Sequence, residues 1–158
     1  MSGTAGPAAG DPAPDFSMAA SGGRTVSLAM LKGRPFLMYF YPKADTPGCT
    51  TQACALQEAL PQLGKLGLEV IGVSPDKLPP IEKFAAKFGL VFPLASDPDH
   101  TVAEAYGTWV EKSMYGRKYM GMERSSFLVA ADGTIARVWR KVKPEAHAAA
   151  VLQATQEL

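Results

Sequence analysis

The 158-residue chain is poor in the residues that carry most site chemistry: it holds two cysteines and two histidines, and its 16 basic residues nearly cancel 15 acidic ones. Two cysteines are too few for the disulfide framework of a small secreted scaffold. The histidines, His100 and His147, have no finger-like spacing to the cysteines, so a zinc site would lack ligands and no metal is expected. They read as surface or capping residues. A formal net charge of +1 offers no footprint for a nucleic acid or an anionic membrane. The longest strongly apolar run, residues 36–41, is far shorter than the ~20 residues of a spanning helix. Residues 1–14, MSGTAGPAAGDPAP, have neither a basic start nor an apolar core, so they read as a flexible leader and not as an export signal. The expected location is therefore cytoplasmic, where thiols stay reduced unless something oxidises them.

What remains, residues 15–158, is enough for one domain with a sizeable core. Residues 16–20 and 24–28 flank Ser21-Gly22-Gly23 as an edge hairpin. Residues 35–41 are apolar without alternation, the pattern of a strand covered on both faces. From Thr46 onward Cys49, Ala53, Leu56, Leu60 and Leu63 recur at helical steps, with Pro61 as a candidate kink, and residues 68–74 form a second buried strand. That is a βαβ unit. Pro79-Pro80 opens a helix ending at Gly89, residues 91–95 make a short strand, and Asp97-Pro98-Asp99 offers an N-cap to a helix over 101–106. Residues 108–123 have no firm period and read as a loop, whereas 125–130 and 134–140 are strands around the hairpin signal Asp132-Gly133. Pro144 opens a terminal helix rich in alanine. This order predicts a thioredoxin-like α/β fold, a central mixed sheet with helices on both sides and an N-terminal hairpin extension.

The stretch with chemical potential is Pro42-Lys43-Ala44-Asp45-Thr46-Pro47-Gly48-Cys49-Thr50, at the C-terminal end of the first buried strand, where α/β folds gather their sites. Cys49 falls in the first turn of the following helix, where unpaired N–H groups and the helix dipole favour a thiolate. A cysteine there is as often a space-filling residue. Its neighbours shift the balance: Pro42 ends the strand and shields the pocket, Thr46 puts a hydroxyl three residues before the sulfur, and Pro47 and Gly48 let the backbone approach a small ligand.

The pattern P-x-x-x-T-P-x-C-T over residues 42–50 resembles the active-site signature of peroxiredoxins. Cys49-Thr-Thr-Gln-Ala-Cys54 is similar to the bacterioferritin comigratory protein, or peroxiredoxin Q, branch of that family. Further resemblance runs through Tyr39-Phe-Tyr-Pro-Lys43, residues 107–121, Arg124-Ser-Ser-Phe-Leu128 and Asp132-Gly133. It implies a thiol peroxidase acting on hydrogen peroxide or alkyl hydroperoxides, needing no metal or organic cofactor, recycled by thioredoxin and monomeric. By the same resemblance Cys49 is the peroxidatic thiol and Cys54 the resolving one. Thr46 orients the peroxide, Pro42 shields the thiolate, Arg124 completes the pocket, Gln52 helps to hold that arginine, and Gly48 lines the substrate position.

Elementary chemistry agrees with these roles. Sulfur attacks one peroxide oxygen while charge develops on the other, so hydrogen-bond donors belong around the leaving atom, and Arg124, the Thr46 hydroxyl and backbone N–H groups are the candidates. Residues five apart on an intact helix have Cα atoms about 8.5 Å apart, against the roughly 4.4–6.8 Å of a disulfide, so a Cys49–Cys54 bond requires local unwinding. Two rivals stand beside this reading. A thiol-disulfide oxidoreductase usually carries a C-x-x-C pair, which is absent here. A redox sensor or holdase would use the same disulfide as a switch. Arg117-Lys118 reads as a solvated charge cluster, Met114, Met120 and Met122 as gap-fillers, and Trp109, Tyr115 and Tyr119 as either an apolar wall or ordinary packing.

Overall fold

All five residues of β3 (Phe36–Phe40) are buried. The computed structural model, which describes residues 6–158, shows why. Phe36, Met38 and Phe40 point into one core, and Leu37, Tyr39 and the following Tyr41 point into another on the opposite face of the sheet. A strand between two dry layers has no position for a polar residue, so it carries none of the alternation of a half-exposed strand.

Around it runs a seven-stranded sheet in the order β2-β1-β5-β4-β3-β8-β9. Its strands are β1 (Ser17–Ala20), β2 (Arg24–Ser27), β4 (Glu69–Ser74), β5 (Leu94–Ser96), β8 (Ser125–Val129) and β9 (Ile135–Trp139) beside β3. β3, β4 and β5 are parallel, and β1, β2, β8 and β9 join antiparallel, so the sheet is mixed. One face is covered by α1 (Pro47–Lys65), α2 (Leu78–Phe88) and α4 (Pro144–Gln156), which contribute Leu56, Ile81, Phe84 and Val151 to the core there. The other face takes α3 (Thr101–Ala105) with Val102 and Ala103, together with Phe16 and Tyr106. The expected mixed sheet, flanking helices and N-terminal hairpin are all present.

Local chemistry accounts for the boundaries. α1 and α4 begin with Pro47 and Pro144, whose missing N–H costs nothing in a first turn. α1 continues through Pro61 as one helix. α2 stops at Gly89, which adopts φ 63° where a side chain would be strained. Asp97 caps from outside α3, its carboxylate accepting from the N–H groups of Val102 and Ala103 at 3.2 and 2.9 Å, while His100 occupies the N-cap position itself. Residues 1–5 of the proposed leader lie outside the described residues. Beyond them, Gly10 and Ala13 donate to the carbonyls of Ile135 and Gly133 at 2.8 and 2.9 Å, and Ile135 donates back to Asp11, so this stretch lines the β8–β9 hairpin.

The region 108–123 is not a loop. It forms an antiparallel hairpin of β6 (Trp109–Met114) and β7 (Arg117–Met122), turning at Tyr115 and Gly116, both with positive φ. Most of its side chains are exposed on both faces, so no apolar alternation marks it. Tyr115 stands 97% exposed and Tyr119 is also exposed, so they form no wall; Trp109 instead stacks on His100 with ring centroids 4.2 Å apart. Among the described residues no helix is long and apolar enough to cross a membrane.

Candidate active site

Parallel strands β3 and β4 deliver their C-terminal ends to one edge of the sheet, and antiparallel β8 begins at that same edge, because Phe40 pairs with Ser125. This register carries Arg124, the residue before β8, to the first turn of α1 across a separation of 75 residues. The loop between β3 and α1 is fastened from the neighbouring strand: Asp76, just past β4, accepts from the Ala44 N–H at 2.7 Å and from the Ser74 hydroxyl at 2.9 Å. Asp45 turns the chain with φ 59° and meets Lys87 of α2 at 3.1 Å.

Cys49 is the third residue of α1 and is 1% exposed. Arg124 spans two partners: Nη2 donates to Cys49 Sγ at 3.4 Å, and Nη1 donates to Gln52 Oε1 at 2.6 Å. A guanidinium carries five N–H donors and no acceptor, so those not spent on these two partners are available to a molecule beside the sulfur. Gly48 makes this approach possible. A Cβ at that position would lie 3.2 Å from Arg124 Nη2 and 3.5 Å from Pro144 Cγ.

Thr46 is the N-cap residue of α1, yet its hydroxyl donates outward to the Lys43 carbonyl at 2.8 Å. The first intrahelical bond comes from Thr50 N–H to the Thr46 carbonyl, so helix geometry leaves the N–H groups of Gly48 and Cys49 without an intrahelical acceptor. With its proton committed to Lys43, the Thr46 hydroxyl offers lone pairs to an incoming O–H. Pro42 is half-buried just beyond β3.

Cys54 lies on the same helix, half-buried, and both thiols are free. Of the sequence-named residues, the structure thus brings Cys49, Arg124, Gln52 and Gly48 into one cluster with Thr46 at its helix end. It leaves Cys54 outside the hydrogen-bonded group.

Two participants escaped the sequence reading. Asp76 is one; Ser-x-Asp at the end of a parallel strand was the available signal. His147 is the other, and it is not a surface residue: it is 2% exposed, on the inner face of α4. Its Nδ1 lies 3.1 Å from Gln52 Nε2 and its Nε2 lies 2.6 Å from Ser126 Oγ. Burial, followed by the nearby Arg124 cation, pushes its pKa down to about 4, so the ring is neutral near pH 7. Burial likewise holds the Tyr39 hydroxyl well above its ordinary range, and that ring packs 5.8 Å from His147.

Residues 9–138 match the model of the AhpC/TSA family. The Escherichia coli peroxiredoxin Bcp is 46% identical over 149 residues, covering 94% of this chain and 96% of that protein. The Bacillus subtilis peroxiredoxin Bcp is 42% identical over 149 residues, covering 94% and 95%. Among solved structures, Xanthomonas campestris peroxiredoxin Q superposes with a TM-score of 0.86 at 41% identity, covering 90% of each chain. A further structure of a Xanthomonas campestris bacterioferritin comigratory protein, described for its alkyl peroxide reduction, gives 0.86 at 40% identity over 90% of each chain.

Proposed function

The chain belongs to the AhpC/TSA family of peroxiredoxins and is a thiol peroxidase, and from that premise we propose that Cys49 takes the peroxide, Cys54 resolves it and thioredoxin returns the electrons. The observation that carries the assignment is Arg124 bridging Cys49 Sγ and Gln52 Oε1. The Cys49 thiolate attacks one oxygen of a hydroperoxide, the O–O bond breaks, and the leaving oxygen departs as an alkoxide or hydroxide that takes up a proton. Arg124 and the N–H groups at the start of α1 stabilise that departing charge, while Thr46 accepts the peroxide O–H. Cys49 is left as a sulfenic acid.

Cys54 then displaces water from the sulfenic acid to form the Cys49–Cys54 disulfide, for which the first turns of α1 unwind. A dithiol reductant restores both thiols with two electrons and two protons. Hydrogen peroxide and alkyl hydroperoxides are the substrates, the latter supported by the activity named for the Xanthomonas campestris relative. The protein acts as a monomer in the cytoplasm on this reading.

Peroxide consumption by the purified protein with thioredoxin, thioredoxin reductase and NADPH is the test. Continuous turnover is expected from the parent, none from Cys49→Ser, and a single oxidation without efficient thioredoxin-linked recycling from Cys54→Ser. Turnover by Cys49→Ser would refute the assignment, and a parent that reacts once and stops would favour the sensor.

A further inference from the structure

We propose that His147 is a positioning residue for the peroxide step, setting through Gln52 the orientation in which Arg124 meets Cys49; this rests on the peroxidase reading above. The argument follows what each atom is able to do. A guanidinium only donates, so the Gln52 atom 2.6 Å from Arg124 Nη1 is the carbonyl oxygen. The opposite end of the amide is then the NH₂ group, which also only donates, and it lies 3.1 Å from His147 Nδ1. Nδ1 therefore carries the lone pair. The ring proton sits on Nε2 and is donated to Ser126 Oγ at 2.6 Å.

One tautomer satisfies every neighbour in this chain of contacts. With the proton on Nδ1 instead, two donors would face each other and the amide would turn over. Its NH₂ would then meet the guanidinium, and Arg124 would lose the acceptor that anchors it beside the sulfur. Gln52 is fully buried, so water cannot stand in for the missing partner, and the acceptor on the ring decides which way the amide faces. Tyr39 on β3 and Trp139 on β9 pack around the ring at 5.8 and 6.3 Å, fixing its plane. The depressed pKa keeps Nδ1 unprotonated near neutral pH, in accord with this geometry.

Two measurements on the full chain test this. Long-range ¹H–¹⁵N correlation of the reduced protein at pH 7 should find His147 neutral with its proton on Nε2; a proton on Nδ1 overturns the assignment. Rate constants for Cys49 oxidation by hydrogen peroxide, read by competition, supply the second. His147→Leu should slow the step about tenfold, the worth of one lost hydrogen bond. His147→Asn, whose amide oxygen replaces Nδ1 as acceptor, should recover most of that loss. The double variant Gln52→Leu/His147→Leu should be no slower than Gln52→Leu alone, because the ring acts through the amide. Additive losses, or no recovery by asparagine, overturn the proposal. Absence of any peroxide reaction in the parent overturns the peroxidase reading itself, whereas a normal parent rate with additive losses overturns only the role of His147.

Discussion

Acidification from pH 7 to pH 5 should cost the protein stability through His147 alone. In the unfolded chain the ring titrates near its ordinary value of about 6.5. In the fold, burial first and Arg124 second push it down to about 4. The charged group facing it is Arg124, ahead of β8, and the titratable one beside it on β3 is the Tyr39 hydroxyl, which burial keeps neutral. Between those two values the unfolded state binds the proton and the folded state does not, so stability falls as pH falls, beginning near 6.5 and levelling off below 4. Integrating over the window gives a loss of about 2 kcal/mol between pH 7 and pH 5, or about 4–8 °C in melting temperature for a chain of this length. Asp132 acts in the same sense but at lower pH. Its carboxylate is held below the usual range by hydrogen bonds from Thr134, so its contribution is lost only as pH falls further, beneath this window. Urea unfolding of the reduced protein at pH 7, 6 and 5 reads the slope, and His147→Leu is the control. The variant also takes the ring partner from the Gln52 NH₂ group and the Ser126 hydroxyl, so its absolute stability drops, and the comparison is between slopes. Equal slopes in parent and variant would refute the reasoning, because the ring would then titrate alike in both states.

Arg124→Ala should slow oxidation of Cys49 by about 10²–10³, the usual worth of a donor facing developing charge, while reduction of the disulfide by thioredoxin proceeds at the parent rate. Stopped-flow measurement of the two half-reactions separates them, and equal slowing of both would contradict the role given to the guanidinium. Gly48→Ala places a methyl group 3.2 Å from Arg124 Nη2 and should lower the peroxide rate about tenfold with a small shift in melting temperature, since the guanidinium yields before the backbone does. An unchanged rate would show that the close approach is dispensable. Amide exchange over residues 49–56 should be markedly faster in the oxidised protein, and equal protection in the two redox states would exclude unwinding of α1.

Much of this molecule is legible along the chain because its elements are marked by local chemistry. The apolar run at residues 36–40, the helical steps from Cys49 to Leu63 and Gly89 at a helix end each state their structure directly. The β6–β7 hairpin does not, since strands exposed on both faces carry no period and its turn is Tyr115-Gly116, not a common hairpin pair. At the site, Cys49, Thr46 and Gly48 lie within four residues and read as a group. Arg124 and Gln52 came from family resemblance, because only the β3–β8 register makes them neighbours. His147 reads from the sequence as a surface or capping residue, and the fold buries it. Its spacing to Val151 and Ala154, four and then three residues on, places it on the buried stripe of α4 and was the sign to heed.

Gln52 sits between the two cysteines, on the part of α1 that the proposed Cys49–Cys54 disulfide would unwind. On that reading, resolving one peroxide dismantles the support for attacking the next: Arg124 loses its carbonyl anchor, and His147 loses its donor. Until a reductant arrives, the chain holds a one-bit record of a single encounter. How fast it would be read again depends on how quickly the unwound turns of α1 and a buried amide find their places.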